Sequence, residues 1–110
     1  MTPKLSIKPF LLIDGRSISA AESVIQIAHD NRLATLVGET SAGTNGNANT
    51  VDLPGGFSMR FTGMRVLRAD GTALQGRGIT PEYVIHPTIE GVRAGHDEIL
   101  EAALALAKHP

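Results

Sequence analysis

Two short apolar runs, Lys8 to Ile13 and Leu33 to Val37, bracket a stretch with a different period. Between them Ala20, Ala21, Val24, Ile27 and Ala28 recur at helical spacing, which predicts a helix from Ala20 to about Asn31 with those residues as its inner face. The runs themselves are short, apolar and closed by Asp14-Gly15 and by Gly38, as buried strands are. Strand, helix and strand within about thirty residues make a βαβ unit with a parallel pair. After it the pattern changes. Glu39 to Asn49 is small and polar throughout, a surface loop with a tight turn at Asn45-Gly46 in which Gly43 and Gly46 supply positive φ.

Beyond the loop the period is two. Thr50 to Leu53 and Phe57 to Thr62 read as strands joined by Pro54-Gly55-Gly56, and Phe57, Met59 and Phe61 alternate with polar residues as on a half-buried strand. Met64 to Arg68 reads as a further strand that meets Ala73-Leu74 across the hairpin signal Asp70-Gly71, and Tyr83 to Ile85 is a last short one. The tail, from about His96 to Lys108, returns to helical spacing. Ile99, Leu100, Ala103, Leu104 and Ala107 form its stripe, with acids at its start and Lys108 at its end, in the sense that suits the helix dipole. The expected whole is a single α/β domain over residues 1–110: a βαβ unit, a β-rich segment and a C-terminal helix.

Composition narrows the function classes. Ten basic and eleven acidic side chains nearly cancel and form no basic cluster, so neither nucleic acid nor an anionic membrane is an expected partner. No apolar stretch approaches the roughly 20 residues of a membrane span, so membrane insertion is not expected. The absence of cysteine excludes disulfides and thiolate chemistry. Four histidines without ligand-like spacing point to no metal site, and no cofactor is expected. Gly38 to Gly46 lacks the lysine of a phosphate-binding loop and opens no helix.

The candidate chemistry lies at the start of the first helix. Ser19-Ala20-Ala21-Glu22 matches a capping box, in which serine and glutamate satisfy each other's orphan amides. A serine in that position also presents its hydroxyl at the positive end of a helix, where a nucleophile and an oxyanion are both favoured. The second reading requires a base. His29, ten residues along the same helix, lies about 15 Å away at 1.5 Å per residue and reads as a helix C-terminal histidine. Nothing places His86, His96 or His109 beside Ser19. Asp14 and Arg16, which flank the serine segment, are expected to form a salt bridge or turn contact, and Glu39 to pair locally.

Three segments taken in order change the balance. Ser17-Ile18-Ser19-Ala20-Ala21-Glu22, then Gly38-Glu39-Thr40 with Gly43, then Gly76-Arg77-Gly78-Ile79-Thr80-Pro81-Glu82, resemble the tail-specific or C-terminal processing serine peptidases, the family of the tricorn core protease and the interphotoreceptor retinoid-binding repeats. Order and spacing agree from about Lys8 to Val84, and Pro87 to Glu98 is similar to bacterial members. The resemblance implies a crotonase-like (ClpP/crotonase) peptidase core of which this chain is the C-terminal part. It implies a seryl acyl-enzyme mechanism on a peptide or protein substrate, with Ser19 as nucleophile and the Ala20 backbone amide as one oxyanion donor. It also implies an extracytoplasmic location, as for most bacterial members.

The departures carry their own expectations. Members with a Ser–Lys dyad have lysine directly after the loop glycine, where this chain has Thr44. The tricorn-like branch uses an upstream histidine together with a glutamate near the last motif. The corresponding position here is Gln75, a neutral amide able to orient a partner. The isolated chain is therefore expected to be inactive, and a non-catalytic binding module of the same fold is the alternative. Uncovered sheet edges would favour a homo-oligomer.

Overall fold

The structure is a computed structural model that describes residues 7–109. β1 (Phe10–Ile13) and β2 (Thr35–Gly38) pair in parallel, Phe10 opposite Thr35 and Ile13 opposite Gly38, with α1 (Ala20–Asp30) as the crossover. β5 (Tyr83–Val84) adds in parallel to the other edge of β2, so the order is β1-β2-β5. β2 is the middle strand and every one of its residues is buried, as a parallel strand covered on both faces requires. Leu36 and Ile13 form the core with Ile25 from α1 and with Leu74 and Ile79 from the later loops. The C-terminal helix α3 (Glu98–Lys108) also packs against β1 and β2.

Local chemistry explains the ends of these elements. Asp14 turns the chain out of β1: its carboxylate accepts from the Arg16 N–H at 2.8 Å and pairs with the Arg16 guanidinium at 2.7 Å. The hydrogen bond from that guanidinium is the main reason the Asp14 carboxyl titrates below its ordinary range. α1 ends in a Schellman motif, with Leu33 N–H on Ala28 O at 2.8 Å and Arg32 N–H on His29 O at 3.0 Å. Arg32 takes the left-handed turn, φ 54°, usually given to glycine.

β3 (Ala48–Leu53) and β4 (Phe57–Thr62) form an antiparallel ribbon that stands off the body, with every residue of both strands exposed. Register puts Val51, Leu53, Phe57, Met59 and Phe61 on one face of the ribbon. The half-buried strand expected for Phe57, Met59 and Phe61 is thus not realised: all three are open to solvent, Phe57 by 72%. The projecting ribbon gives the chain a radius of gyration of 17.6 Å, against about 13 Å for a compact chain of this length.

Other expectations are corrected. The buried face of α1 is Glu22, Ile25 and Ala28, while Val24 and Ile27 are 61% and 58% exposed. On α3 Leu100 and Leu104 are exposed and Ala103 is the buried residue. The strand Met64 to Arg68 reduces to one bridge, Leu67 to Ala73, because the Val66 N–H and Met64 carbonyl are taken by the Gln75 side chain rather than by backbone. A helix α2 (Ile89–Ala94) occupies a stretch in which no element was expected. Thr88 caps it by accepting from the Gly91 N–H, and Gly95 ends it at φ 78°.

Candidate active site

Ser19 stands at the N-cap of α1 with φ 52° and ψ −115°, an uncommon conformation for a residue with a side chain. An ordinary N-cap residue has extended backbone angles. Conformations of this kind cost about 1–3 kcal/mol and persist only where the surroundings hold them. The capping box is in place, but its weaker contact is on the serine side. The Ser19 hydroxyl faces the first turn without forming a full capping bond, whereas the Ser19 N–H donates to Glu22 Oε2 at 3.2 Å. The hydroxyl is therefore not consumed by the cap. The next residue, Ala20, is the first of the helix, so its N–H is one of the orphan donors that face out of a helix start.

Glu22 holds this geometry. It is completely buried, and its carboxylate accepts from the Ser41 hydroxyl at 2.7 Å, Gly43 N–H at 2.6 Å, Thr44 N–H at 2.9 Å and the Ser19 N–H at 3.2 Å. Ser41 extends the network, accepting from the Ile79 N–H at 2.9 Å while its own N–H donates to the Ile79 carbonyl at 3.1 Å. The loop after β2 and the Gly76–Glu82 segment are thereby fastened to the turn that carries Ser19. Their approach needs glycine: a Cβ on Gly78 would run into the Ser41 carbonyl, and one on Gly43 into the Gly78 and Arg77 amides. Glu82 continues the same segment, accepting from the Leu36 N–H at 2.8 Å just ahead of the short β5.

The other residues singled out in the sequence have hydrogen-bond partners of their own. Gln75 spends its amide on backbone, accepting from Val66 N–H at 3.0 Å and donating to the Met64 and Asn45 carbonyls at 2.7 and 2.9 Å. Thr44 lies in the Glu22 network through its N–H. His29 contacts Asp30 at 3.1 Å and Arg68 at 3.4 Å, His86 pairs with Glu39 at 2.8 Å, and His96 with Glu101 at 2.8 Å. Burial alone would raise the Asp30 carboxyl, but the His29 ring, the Ala69 N–H and Arg68 outweigh it and hold the group below its ordinary value. Among the described residues no cluster of three or more histidines and acids is placed to hold a metal, and no helix is long and apolar enough to cross a membrane.

An accessible hydroxyl at a strained helix start, next to an outward-facing amide and locked from behind by a buried glutamate, is suited to attack on an acyl carbon once a base is supplied. The profile of peptidase family S41 matches residues 2–85. The chain belongs to peptidase family S41. A carboxy-terminal-processing protease of Bartonella bacilliformis is 34% identical over 94 residues, covering 84% of this chain and 22% of that protein. A Parabacteroides merdae protein assigned as a peptidase superposes with TM-score 0.85 at 27% identity, over 94% of this chain and 33% of the other. Mature CPAF aligns at TM-score 0.76 and 26% identity, over 86% and 19%. The chain thus spans 19% to 33% of the length of these relatives. The mixed α/β fold with its parallel sheet is that of S41 peptidase structures. Glu22 is the structural member of the site that the sequence reading took only for a helix cap. The signal available was its place as the last of the six residues Ser17 to Glu22 that carry the resemblance.

Proposed function

We propose that this chain is the nucleophile-bearing part of an S41 serine peptidase core, a crotonase-like fold whose remaining strands and general base lie outside these 110 residues. Ser19 Oγ attacks the carbonyl carbon of a peptide bond as the base removes its proton. The resulting oxyanion receives the Ala20 N–H. Collapse of the tetrahedral intermediate breaks the C–N bond, the base returns the proton to the departing amine, and water then hydrolyses the seryl ester. Gln75 orients the site at one remove, by bracing the loop that contains Asn45. The single observation that carries this reading is the positive φ of Ser19 held by a fully buried Glu22, an arrangement a simple helix cap does not need.

A fluorophosphonate probe tests it. The chain as it stands remains unlabelled, whereas the chain extended upstream by the rest of an S41 core is labelled on Ser19, and its Ser19→Ala variant is not. Labelling of the 110 residues alone would overturn the view that the base is external.

One observation favours a second reading, a binding module of the same fold. Among the described residues His29, His86 and His96 are engaged elsewhere, and Thr44 and Gln75 stand where relatives of the resembling types carry ionisable groups. An extended chain that binds peptides but never reacts at Ser19 would support it.

A further inference from the structure

Four asparagines occur in the chain, at positions 31, 45, 47 and 49, and of these Asn45 alone precedes a glycine. Its side chain is folded back on the amide that follows it. Asn45 Oδ1 accepts from the Gly46 N–H at 2.8 Å, so the carboxamide carbon lies one bond beyond that oxygen, close to the same nitrogen. From the other side Asn45 Nδ2 donates to the Ser23 hydroxyl at 2.9 Å, which fixes the carboxamide against α1. Gly46 has no side chain to shield its nitrogen, and the packing does not admit one. A Cβ there, at φ 130°, would run into the Thr62 methyl group.

The other three asparagines lack this arrangement. Asn31 turns its Nδ2 back to the Ile27 carbonyl at 2.9 Å, and the amide after it, Arg32 N–H, is bonded to the His29 carbonyl at 3.0 Å. Asn47 and Asn49 are followed by Ala48 and Thr50, residues with side chains in the extended β3–β4 ladder.

We propose that Asn45-Gly46 is a self-modification site, at which the chain deamidates through a cyclic imide. The Gly46 nitrogen, once deprotonated, attacks Asn45 Cγ, and an N–Cγ bond forms. The Cγ–Nδ2 bond then breaks, and ammonia leaves with a proton equivalent to the one lost from Gly46. Water opens the ring at one of its two carbonyls. Opening at Cγ leaves aspartate; opening at the main-chain carbonyl leaves isoaspartate, whose backbone runs through the former side chain. One water is consumed, one ammonia is released, and nothing is oxidised. Holding the reacting groups together is the positioning that accelerates an intramolecular step.

The consequence follows from what Asn45 joins. Its side chain ties the loop to Ser23 on α1, and its carbonyl accepts from Gln75 Nε2 at 2.9 Å. Its neighbour Thr44 gives its N–H to Glu22 at 2.9 Å. Isoaspartate lengthens the main chain at that junction and adds a negative charge, so modification loosens the loop that holds the Ser19 turn. None of this depends on the peptidase reading.

The test is ageing of the purified 110-residue chain under mildly alkaline and mildly acidic conditions. Peptide mapping by mass spectrometry follows each asparagine, and labelling by an isoaspartyl methyltransferase reports the rerouted backbone. Conversion is expected about tenfold faster at Asn45 than at Asn31, Asn47 or Asn49, and faster in alkali because the attacking nitrogen must lose its proton. Ser23→Ala releases Nδ2 without changing either reacting residue; it should slow Asn45 several-fold and leave the other three as they were. Asn45→Gln should stay intact on ageing, since closure would then need a larger imide ring. The isoaspartate fraction, separated by ion exchange, should unfold at a lower urea concentration than the fresh chain. An Asn45 rate no faster than the others, or one that Ser23→Ala fails to slow, would overturn the proposal. An unchanged urea midpoint would overturn the role given to the junction.

Discussion

The starts of α1 and α3 invite comparison because their sequences look alike and their physics is opposite. Each opens an eleven-residue helix with a polar cap and an acid in the first turn. At α3 the cap is local. Asp97 has φ −102° and accepts from the Leu100 N–H at 3.0 Å, three residues away and exposed to solvent. At α1 the cap residue is twisted to positive φ, and its hydroxyl makes no full capping bond. The stabilising group is instead Glu22, completely buried and bonded to residues 19 to 22 positions further along the chain. One helix start lowers the energy of its own helix. The other maintains an unfavourable backbone at the expense of bonds drawn from the whole domain, which is the expected pattern for a site that presents a reactive group.

The comparison breaks most visibly at Glu22. Glu22→Ala removes the acceptor of four donors, three of them in the loop after β2, and should cost about 3 kcal/mol or more, a large part of a small domain's stability. Urea titration with intrinsic amide signals would show the midpoint collapse, while Glu98→Ala on α3 moves it far less. Ser41→Ala comes next. It leaves the buried Ile79 N–H without its side-chain acceptor, and a loss of about 1–3 kcal/mol is expected in the same titration.

A sharper test uses opposite signs. Ser19→Gly relieves the positive φ and forfeits no full capping bond, so a gain of about 1 kcal/mol is expected after the entropy cost of glycine. Asp97→Ala should lose about 1 kcal/mol, the ordinary cost of an N-cap. A pair of melts in which both variants lose stability would return Ser19 to the status of a plain cap.

The smallest effect lies beside α3. The hydrogen bond that His96 donates to the Glu101 carboxylate, reinforced by the carboxylate's charge, raises the pKa of His96 above its ordinary value. A raised folded value favours the protonated form, so this contribution is complete below the unfolded pKa and disappears as pH rises through the folded one. His96 is exposed, so the melting temperature should fall only slightly from pH 5.5 to pH 8, and His96→Ala should remove that part of the slope. A slope unchanged in the variant would assign it elsewhere.

The sequence made part of this site legible. The Asp14–Arg16 turn and the glycines at positions 43 and 46 follow from short-range rules and have the expected local form, whereas Ser19 opens α1 as expected but at positive φ. The inner face of α1 did not follow. Val24 and Ile27 fit an apolar stripe, yet the helix is rotated so that Glu22 points inward, because Ser41, Gly43 and Thr44 supply donors that no window around the helix contains. Nor did the partners of Gln75, whose amide is bonded to Met64, Val66 and Asn45.

By itself the sequence determined the βαβ unit with its short strands, the turns and the serine at a helix start, since apolar period and turn chemistry act over a few residues. Only the tertiary structure decided which face of α1 is buried, that the β3–β4 ribbon stands in solvent, and that Ser19 is held at positive φ. The first and last of these depend on segments 19 to 38 residues apart meeting at Glu22 and Ser41, where the satisfaction of buried donors outweighs the preference of any single stretch.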